Sequence, residues 1–374
     1  MGGRSVVYVS PNARPGGTER VLETLIRHHD PARWRPSAFF LNDGPMVAEF
    51  AARGVPTALG PPMRLRDPRS VGRAVASLRR HLVDRRAEAV HSLMGYGHLV
   101  GGLAARAGGI PEVWAQHGSL GWHEYLFARI PTDALIANSR YTLAAHARYG
   151  GRAGSRHVIY PGVGPIAGAD PSPWRDPSAW TVGLAGRLSP MKGHLLLLEA
   201  AATALGRVPN LRVLLIGGAY LPGDDAYGAR VRAAADAPPL RGRVAFTGHL
   251  DAPWGAMAAC DALAVASITP EPFGLTVVEA RRLGVPVVAP AEGGPPEMIA
   301  DGLDGLLCAP RDAASLAAAL VRLATEPGLS ASLAARGLVD GRFTADRMAR
   351  EVEGVLDRVA SSPLGARASP AIRR

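Results

Sequence analysis

Short apolar runs alternate with amphipathic segments along this chain, and the alternation occurs as two separate series. The first series opens with an apolar run at residues 5–10 and a helical pattern at residues 19–29, and it continues to residue 116. The second series opens at residues 181–185 and 194–205. A strand followed by a helix, repeated several times, is typical of a parallel sheet that helices cover on both faces. The sequence therefore predicts an α/β protein with two doubly wound, Rossmann-like parallel sheets.

A segment rich in Pro, Gly, Ala and Asp, residues 161–177, separates the two series. Such a segment cannot maintain a helix or a central strand, so its composition indicates an interdomain linker. The 374 residues of the chain suffice for two domains of ordinary size. The expected parts are an N-terminal domain (1–165), a linker (166–178), a C-terminal domain (179–341), a C-terminal helix packed back on the N-terminal domain (342–360) and a disordered tail (361–374).

The composition narrows the class of protein. Apolar residues make up 47% of the chain and charged residues 20%, which is typical of a globular protein, and no apolar run reaches the ~18 residues of a membrane-spanning helix. The amino terminus enters an apolar strand directly, without the hydrophobic core of a secretory signal. Cys260 and Cys308 lack metal-ligand spacing and are too few for a disulfide framework. We expect a cytoplasmic protein in which both cysteines are reduced packing residues.

The formal net charge of +10 suits a nucleic acid, a membrane surface or anionic small molecules. Residues 60–90 carry eight arginines against three acidic residues. The solvated face of a surface helix explains this excess; a site for an anionic acceptor or a lipid headgroup, and hence a peripheral membrane contact, is the alternative. Anionic small molecules fit the motifs described next, and we expect no nucleic-acid partner.

One position stands out among the cations. The 42 basic residues include a single lysine, Lys192, which lies in the segment GLAGRLSPMKG at residues 183–193. This glycine-rich turn leaves the first strand of the second series and enters a helix, so that backbone N–H groups can approach an anion there. Arg187 and Lys192 flank the turn and can neutralise a diphosphate from two directions. A lysine offers a compact point charge where the broader guanidinium group of arginine does not fit.

Two glutamates bracket a predicted helix start in the segment EPFGLTVVE, residues 271–279. Pro272 and Gly274 make Glu271 a loop residue, whereas Glu279 lies about one turn inside the following helix. A helix N-terminus favours an anion through its free N–H groups and its dipole. The flanking carboxylates can accept hydrogen bonds from hydroxyl groups. A phosphate ester that also carries sugar and ribose hydroxyls satisfies both features.

These two segments resemble the family 4 retaining glycosyltransferases (glycosyl transferases group 1). The segment 271–279 looks like the glutamate pair of that family, and residues 186–193 resemble its diphosphate-binding segment. The matches occur in the family's order and together span residues 5–345. The further matching segments are Gly16 to Glu19, His117-Gly118, Asn138 to Arg140, Pro161 to Val163, Phe246 to Leu250 and Gly293 to Glu297.

The resemblance implies a GT-B fold, in which two Rossmann-like domains face a central cleft, and it implies roles for single residues. Arg187 and Lys192 would bind the donor diphosphate, Glu279 the ribose, and Glu271 the transferred sugar. Outside the resemblance, His117 in its loop of small residues fits a structural role equally well. The implied catalytic set is His117, Arg187, Lys192 and Glu271, and the implied donor-binding set is Gly16, Gly17, Arg187, Lys192, Leu250, Glu271, Phe273, Gly274, Leu275 and Glu279.

The expected chemistry needs fixed cations more than a nucleophile. Cleavage of a glycosyl phosphate bond builds negative charge on the leaving diphosphate, so cations aimed at that group stabilise the transition state preferentially. The chain has no Asp-x-Asp segment, which is the commonest metal-binding motif for nucleotide sugars, so we expect no metal, no cofactor and activity in EDTA. From the resemblance alone we expect retention through same-face attack, in which a donor phosphate oxygen takes the acceptor proton.

The acceptor is less constrained than the donor. The N-terminal domain is expected to bind it through loops 42–46, 60–67, 93–98 and 119–125, which mix aromatic, glycine and arginine residues. We predict transfer of a hexosyl or N-acetylhexosaminyl group, with UDP as the carrier, to a hydroxyl of a small polar metabolite or natural product. A lipid-linked or phosphorylated acceptor in cell-envelope glycan synthesis is the alternative. A non-catalytic nucleotide-sugar-binding protein and a sugar-nucleotide epimerase are the alternatives of another class.

Overall fold

The computed structural model of the chain describes residues 3–118, 122–148, 150–166, 168–219, 223–338 and 340–362. The chain divides into two compact units. Unit 1 comprises Met1–Gly164 and Arg342–Arg374, and unit 2 comprises Pro165–Gly341. Residues 363–374 of the predicted disordered tail lie outside the described residues, as do residues 119–121 of one predicted acceptor loop.

The sheet of unit 1 contains seven parallel strands within the described residues, in the order β3-β2-β1-β4-β5-β6-β7. The order reverses between β1 and β4, so the helices that connect the strands on the two sides of this reversal cover opposite faces of the sheet. The strands are β1 (Arg4–Ser10), β2 (Trp34–Phe40), β3 (Thr57–Leu59), β4 (Ala89–Leu93), β5 (Glu112–Gln116), β6 (Thr132–Ala137) and β7 (Ala153–Val158).

Helices pack on both faces of this sheet. One buried cluster joins α1 and α14 to the sheet through residues such as Leu22 and Leu356, and another joins α3 and α4 to the opposite face through Leu78 and Val100. Each fully buried side chain of this kind stabilises the fold by about 1.5–3 kcal/mol. The helices are α1 (Gly17–His28), α2 (Pro45–Ala52), α3 (Pro68–Asp84), α4 (Met94–Gly108), α5 (Trp122–Phe127), α6 (Arg140–Ala147) and α14 (Ala345–Ser361).

The last helix, α14, is attached to unit 1 by charge as well as by its apolar face. Glu353 is buried and accepts hydrogen bonds from the His29 ring at 3.0 Å and from the Arg33 guanidinium at 2.6 Å. The Trp34 indole N–H donates to Asp357 at 2.9 Å. A buried carboxylate needs such partners because its desolvation is otherwise strongly unfavourable. These bonds therefore specify where the helix sits on the sheet.

Unit 2 contains a parallel sheet of six strands in the order β10-β9-β8-β11-β12-β13, as far as the chain is described. The strand order reverses between β8 and β11. The strands are β8 (Trp180–Ala185), β9 (Leu211–Ile216), β10 (Val244–Gly248), β11 (Ala262–Ala264), β12 (Val287–Pro290) and β13 (Leu306–Cys308). The helices are α7 (His194–Ala204), α8 (Asp224–Ala235), α9 (Trp254–Ala258), α10 (Leu275–Arg282), α11 (Pro295–Met298), α12 (Ala313–Thr325) and α13 (Leu329–Leu338).

Most buried strands and long helices lie where the apolar pattern predicts them, with ends that differ by one to three residues. Short edge strands such as β3 and β13 are additions, since they have little apolar contrast to reveal them. The predicted first series ended at residue 116, so the elements from α5 to β7, including the buried strand β6, are additions as well. Cys260 and Cys308 are free and buried. Among the described helices, none combines the length and the apolar composition needed to cross a membrane.

Candidate active site

The carboxyl end of the unit 2 sheet collects most of the predicted site residues. In open α/β sheets, ligands bind outside the carboxyl ends of the strands, at the point where the strand order reverses. That point lies between β8 and β11 in this unit. Arg187 follows β8 and Glu271 follows β11. The cationic and the acidic segments therefore lie on the two sides of the reversal.

The turn after β8 is narrow. Gly193 has a φ of 69°, and a Cβ there would lie 1.7 Å from the carbonyl oxygen of Ala266. Lys192 ends a short 3-10 turn, Pro190–Lys192. Its aliphatic stem passes over Gly186, where a Cβ would lie 3.4 Å from the Lys192 Cγ and Cδ atoms. A compact ammonium group on an unbranched stem suits this passage, which gives a physical reason for lysine at this position.

Lys192 and Glu271 form an ion pair within unit 2. The Lys192 Nζ lies 2.6 Å from the Glu271 Oε1. The Ser267 hydroxyl donates to the same oxygen at 2.6 Å, and Ser267 itself is buried. Two donors thus occupy Oε1, whereas Oε2 has no donor in the described part of the chain. The second oxygen of Glu271 is therefore available to a ligand hydroxyl.

Two glycines support the loop that carries Glu271. The Gly294 N–H donates to the Glu271 carbonyl oxygen at 2.8 Å. Gly293 has a φ of 77°, and a Cβ there would lie 2.4 Å from the same carbonyl oxygen. The backbone segments approach so closely that only glycine fits. The Gly293-Gly294 pair therefore determines where the carboxylate stands.

The helix α10 begins directly after this loop. Its N-cap residue, Gly274, has a φ of 105°, a conformation that favours glycine. Phe273 is buried before the cap, and Leu275 is the first helical residue. Glu279 lies one turn inside the helix and is buried. The two glutamates thus bracket a helix N-terminus, where a phosphate is favoured by free N–H groups and the helix dipole.

Arg187 is held on one side by an acidic residue. Its guanidinium lies 3.6 Å from the carboxylate of Asp224, the first residue of α8. The Arg187 side chain keeps a quarter of its surface exposed, so it can still meet an anion. Leu250 follows β10 and is half-buried at the same end of the sheet.

One residue that anchors this site had no assigned role in the sequence. Arg281 lies on α10, two residues after Glu279, and it is buried. Its guanidinium donates to Asp304 and Asp340, each at 2.9 Å, and to the Met298 carbonyl oxygen. A buried arginine with two carboxylate partners fixes the helix that carries Glu279. No feature of the sequence distinguishes Arg281 from its neighbour Arg282.

In unit 1, Gly16 and Gly17 follow β1 and start α1. A Cβ at Gly16 would lie 2.6 Å from the Glu19 Oε2, whereas a Cβ at Gly17 would meet open space. Glu19 is buried, and this burial raises the pKa of its carboxyl group to about 7. The α1 N-terminus is therefore an open surface of small residues beside a carboxyl group that is substantially protonated near neutral pH.

His117 follows β5 and is half-buried. Its Nδ1 atom is enclosed, and it has no hydrogen-bond partner within the described residues. Burial lowers the pKa of the imidazole to about 4, so the ring is neutral at pH 7. The Asn138 side-chain N–H donates to the His117 carbonyl oxygen at 3.1 Å and holds the backbone of this loop.

Several other polar atoms near the carboxyl end of this sheet lack partners within the described part of unit 1. They are both amide atoms of Gln116, both ring nitrogens of His91 and the Oδ1 atom of Asn138. His91 is enclosed in β4, where burial first and the charge of His117 second lower its pKa to about 3. Buried polar groups are normally hydrogen-bonded, so such atoms indicate a site for water or a ligand. The sequence assigned no role to Gln116.

The predicted site residues fall into two groups. Gly16, Gly17 and His117 lie in unit 1, at the carboxyl end of its sheet. The remaining predicted residues lie in unit 2, around the Lys192–Glu271 pair. This second group offers cations and a helix N-terminus for a phosphate, together with carboxylate oxygens for hydroxyl groups. Ser267 and Arg281 support it without having been predicted.

Two family models match this sequence. The model described as Glycosyltransferase Family 4 matches residues 15–165, and the model described as Glycosyl transferases group 1 matches residues 174–338. Between them they account for most of both sheets.

Curated relatives share part of the chain. A D-inositol 3-phosphate glycosyltransferase of Actinosynnema mirum is 38% identical over 189 residues, which are 46% of this chain and 42% of that protein. A protein of the same name from Streptomyces avermitilis is 29% identical over 276 residues, which are 65% of this chain and 59% of that protein. The matched part of the chain thus spans less than two thirds of the length of either relative.

A solved structure resembles the whole chain. HepE of Anabaena, in complex with UDP and glucose, has a TM-score of 0.83 and 25% sequence identity to this chain, with 94% of this chain and 99% of that chain covered. The predicted fold, two Rossmann-like parallel-sheet domains of the GT-B type, is confirmed.

Proposed function

Because the chain belongs to the family 4 glycosyltransferases (glycosyl transferases group 1), we propose that it transfers a hexosyl group from a nucleotide diphosphate sugar to an acceptor hydroxyl, with retention at the anomeric carbon. The observation that carries this proposal is the Lys192–Glu271 pair, which stands between β8 and β11 beside the N-terminus of α10. It supplies a cation for the diphosphate and a carboxylate for the sugar within one small region.

UDP is the proposed carrier. The support is the HepE structure, whose bound molecules are UDP and glucose. In the proposed complex, Glu279 accepts hydrogen bonds from the ribose, and the N–H groups of Gly274 and Leu275 donate to the phosphate and the sugar. Leu250 lies against the base. In unit 1, Gly17 leaves open space at the start of α1, where we propose that Gly16 and Gly17 offer backbone N–H groups to a phosphate.

The proposed reaction uses the cations to stabilise the leaving group. The bond between the anomeric carbon and the donor phosphate oxygen breaks, and its electron pair leaves with the diphosphate. The acceptor oxygen bonds to the same face of the sugar, and the acceptor proton passes to a donor phosphate oxygen. Arg187 and Lys192 stabilise the charge that develops on the leaving diphosphate. An ammonium group has three donors, so Lys192 can serve the phosphate and Glu271 together.

The proposed role of His117 is to hydrogen-bond the transferred sugar. Because burial lowers the pKa of its imidazole to about 4, the ring is neutral at pH 7 and repels no developing positive charge on the sugar. A neutral imidazole can accept or donate one hydrogen bond at each nitrogen, and its Nδ1 has no partner in the described residues.

The proposed acceptor is a small polar molecule with a free hydroxyl group, and within this class a phosphorylated polyol is favoured. Two observations support the phosphate: the curated relatives are named D-inositol 3-phosphate glycosyltransferases, and Arg64 and Arg66 are exposed in the loop between β3 and α3. Neither guanidinium has an ion-pair partner in the described residues. A natural product without phosphate remains the second acceptor class, from the sequence.

A release assay tests the proposal. UDP formation is measured from a panel of UDP-hexoses, with and without a polyol and its monophosphate, in EDTA. We expect UDP release that depends on the acceptor. Thermal shifts identify the donor first, because a ligand at 100 times its dissociation constant stabilises the protein by about 2.7 kcal/mol.

Other outcomes of the same assay distinguish the rival functions. Donor binding without UDP release indicates a non-catalytic binding protein, and a C2 epimer formed without acceptor indicates an epimerase. A double variant, Arg64→Ala with Arg66→Ala, should lower kcat/KM for the polyol phosphate and leave that for the unphosphorylated polyol unchanged. An equal loss of kcat/KM for both acceptors would mean that Arg64 and Arg66 do not bind the acceptor phosphate.

A further inference from the structure

The exposed face of α3 is strongly basic. Along this helix, Arg69, Arg73, Arg79 and Arg80 are all exposed. At 3.6 residues per turn they fall within an arc of about 120°. The opposite side of the helix, through Leu78 and Leu82, is buried against the sheet and α4. The four arginines therefore form one continuous strip, which we call the α3 face.

The charge of the α3 face is almost uncompensated. Arg73 lies 3.8 Å from Asp67, and the other three guanidiniums have no ion-pair partner in the described residues. The helix α14 has the same length and belongs to the same unit, but it carries more acidic than basic residues, and its Arg347 pairs with Glu351 at 2.7 Å. The exposed side of an amphipathic helix in this protein is therefore not always basic, and the unpaired positive charge is a particular property of the α3 face.

Apolar residues share this arc with the arginines. Val83, one turn beyond Arg80, has 75% of its surface exposed, the largest value among the large hydrophobic residues that the structure describes, and Gly72 and Ala76 lie in the same arc nearer the start of the helix. Arginine stems can lie along an apolar surface while their guanidinium groups reach outward. A cluster of four or more arginines on one helix face is typical of surfaces that bind anionic lipid headgroups.

We propose that the α3 face binds an anionic lipid bilayer and docks unit 1 on it peripherally. The chemistry recognised is a sheet of phosphate headgroups, with the Val83 side chain entering the headgroup layer. A nucleic acid fits less well, because the face has no aromatic side chain on which a base could stack. This proposal does not depend on the acceptor or on turnover, since none of its residues lies in the proposed active site.

The first experiment measures vesicle binding. The full chain is mixed with vesicles of phosphatidylcholine containing 30% phosphatidylglycerol, and separately with phosphatidylcholine alone, and the bound fraction is measured by flotation. We expect binding to the anionic vesicles only, weakening as salt is raised. No binding to anionic vesicles at low salt would overturn the proposal.

A charge-matched pair of variants separates this face from the overall positive charge. The test variant carries Arg69→Glu, Arg79→Glu and Arg80→Glu. The control carries Arg207→Glu, Arg336→Glu and Arg350→Glu, which are exposed arginines elsewhere without an ion-pair partner in the described part of the chain. Both lower the net charge by the same amount.

The two variants should differ strongly. Each arginine near an anionic membrane strengthens binding by about fivefold, so the test variant should lose at least about a hundredfold in partition coefficient. The control should lose no more than about tenfold, because its arginines lie away from the membrane and are screened. An equal loss in both variants would contradict a specific face, as would wild-type binding to duplex DNA that the test variant loses while vesicles stay unbound.

A fluorescent label reports the geometry directly. Cys260 and Cys308 are buried, so Val83→Cys introduces a single accessible thiol for a polarity-sensitive dye. Its emission should shift to the blue on addition of anionic vesicles. The same dye at Arg350→Cys, on the helix that covers the other face of the sheet, should show no shift. A shift at position 350 and none at position 83 would place the membrane on the wrong side.

Discussion

The carboxyl ends of the two sheets carry opposite kinds of chemistry. In unit 2, charged groups satisfy one another: Lys192 and Ser267 both donate to Glu271, and Arg187 faces Asp224. In unit 1, the carboxyl end of the sheet holds neutral side chains. Some of their hydrogen-bonding atoms have no partner in the described residues, among them atoms of Gln116, His91 and His117. In unit 2 these charged side chains have partners, and the atoms without one in the described residues include Glu271 Oε2 and His194 Nδ1; in unit 1 the unpartnered atoms are more numerous.

This difference fits two different tasks. A charged edge must keep its cations in place while no phosphate is bound, and an internal carboxylate partner does this. Unpartnered buried polar atoms are unfavourable by about 1–3 kcal/mol each, so their presence indicates that water or a substrate satisfies them. We infer that the charged side chains of unit 2 are positioned before the donor arrives, whereas the polar atoms of unit 1 take their partners from water or from a ligand.

The largest expected effect concerns Lys192. Lys192→Ala should lower kcat by about a hundredfold to a thousandfold, the size found when one donor to a developing oxyanion is removed, or about 2.7–4 kcal/mol of barrier. Steady-state UDP release checks this. Lys192→Arg is the matched control: it keeps the charge but must fit a broader head beside Gly186, so partial activity is expected. Near-normal turnover of the alanine variant would contradict the proposal that Lys192 stabilises the leaving diphosphate.

The two glutamates should respond differently. Glu271→Gln should lower kcat for transfer about tenfold to a hundredfold with little change in UDP affinity, because a hydrogen bond to a charged group contributes about 1.5–3 kcal/mol. Glu279→Gln should instead weaken the binding of UDP itself. Titration calorimetry with UDP and the transfer assay measure the two effects separately. If the pattern is reversed, the roles of the two carboxylates are exchanged.

The buried histidines of unit 1 predict how the free energy of unfolding depends on pH. His91 and His117 have pKa values lowered by burial to about 3 and about 4, whereas an unfolded histidine titrates near 6.5. Below pH 6.5 the unfolded chain therefore binds protons that the folded chain does not. The free energy of unfolding should fall as the pH drops from 6.5 to about 4, by up to about 1.4 kcal/mol per pH unit for each such histidine. Glu19, whose pKa is raised by burial to about 7 in the folded chain, opposes one histidine above about pH 4.5, so the two histidines together still determine the sign.

Chemical denaturation across this pH range measures the slope. His91→Asn removes one titrating group and should flatten the slope. The profile of kcat against pH should show no step near 6.5 from His117. A step near pH 6.5 would mean that the His117 imidazole gains a proton there, which would contradict the lowering of its pKa by burial.

The smallest expected effect concerns Ser267. Ser267→Ala removes one of the two donors to Glu271 Oε1 and should lower kcat about fivefold, in line with about 1 kcal/mol for one hydrogen bond. Ser330→Ala, which removes a hydroxyl bond of 2.7 Å to the Leu323 carbonyl oxygen in the same unit, is the matched control for stability. Equal kcat values for the two variants would remove Ser267 from the site.

The sequence reveals the charged edge better than the neutral one. The single lysine and the spacing of Glu271 and Glu279 are visible without coordinates, because they follow a strand and bracket a helix start. Ser267 lies in an irregular loop four residues before Glu271, where no periodicity predicts the direction of a side chain. Arginine is a residue type typical of protein surfaces. Only the tertiary packing buries Arg281 between the carboxylates of Asp304 and Asp340.

The same limit applies to the edges of the sheets. Central strands such as β1 are buried on both faces and form continuous apolar runs, which the pattern detects. The edge strand β7, with the sequence AGSRHV, is only partly buried and has no such run. The unpartnered atoms of Gln116 also depend on what surrounds them, because a glutamine at a strand end gives no sign of whether neighbours will satisfy it.

The most direct test of the charged edge is a crystal structure of the chain with a UDP-hexose bound. The account predicts that the diphosphate lies within hydrogen-bond distance of Lys192 Nζ and the Arg187 guanidinium, with Glu271 Oε2 on a hydroxyl of the hexose and Oε1 still held by Ser267. A diphosphate bound away from both cations would contradict it.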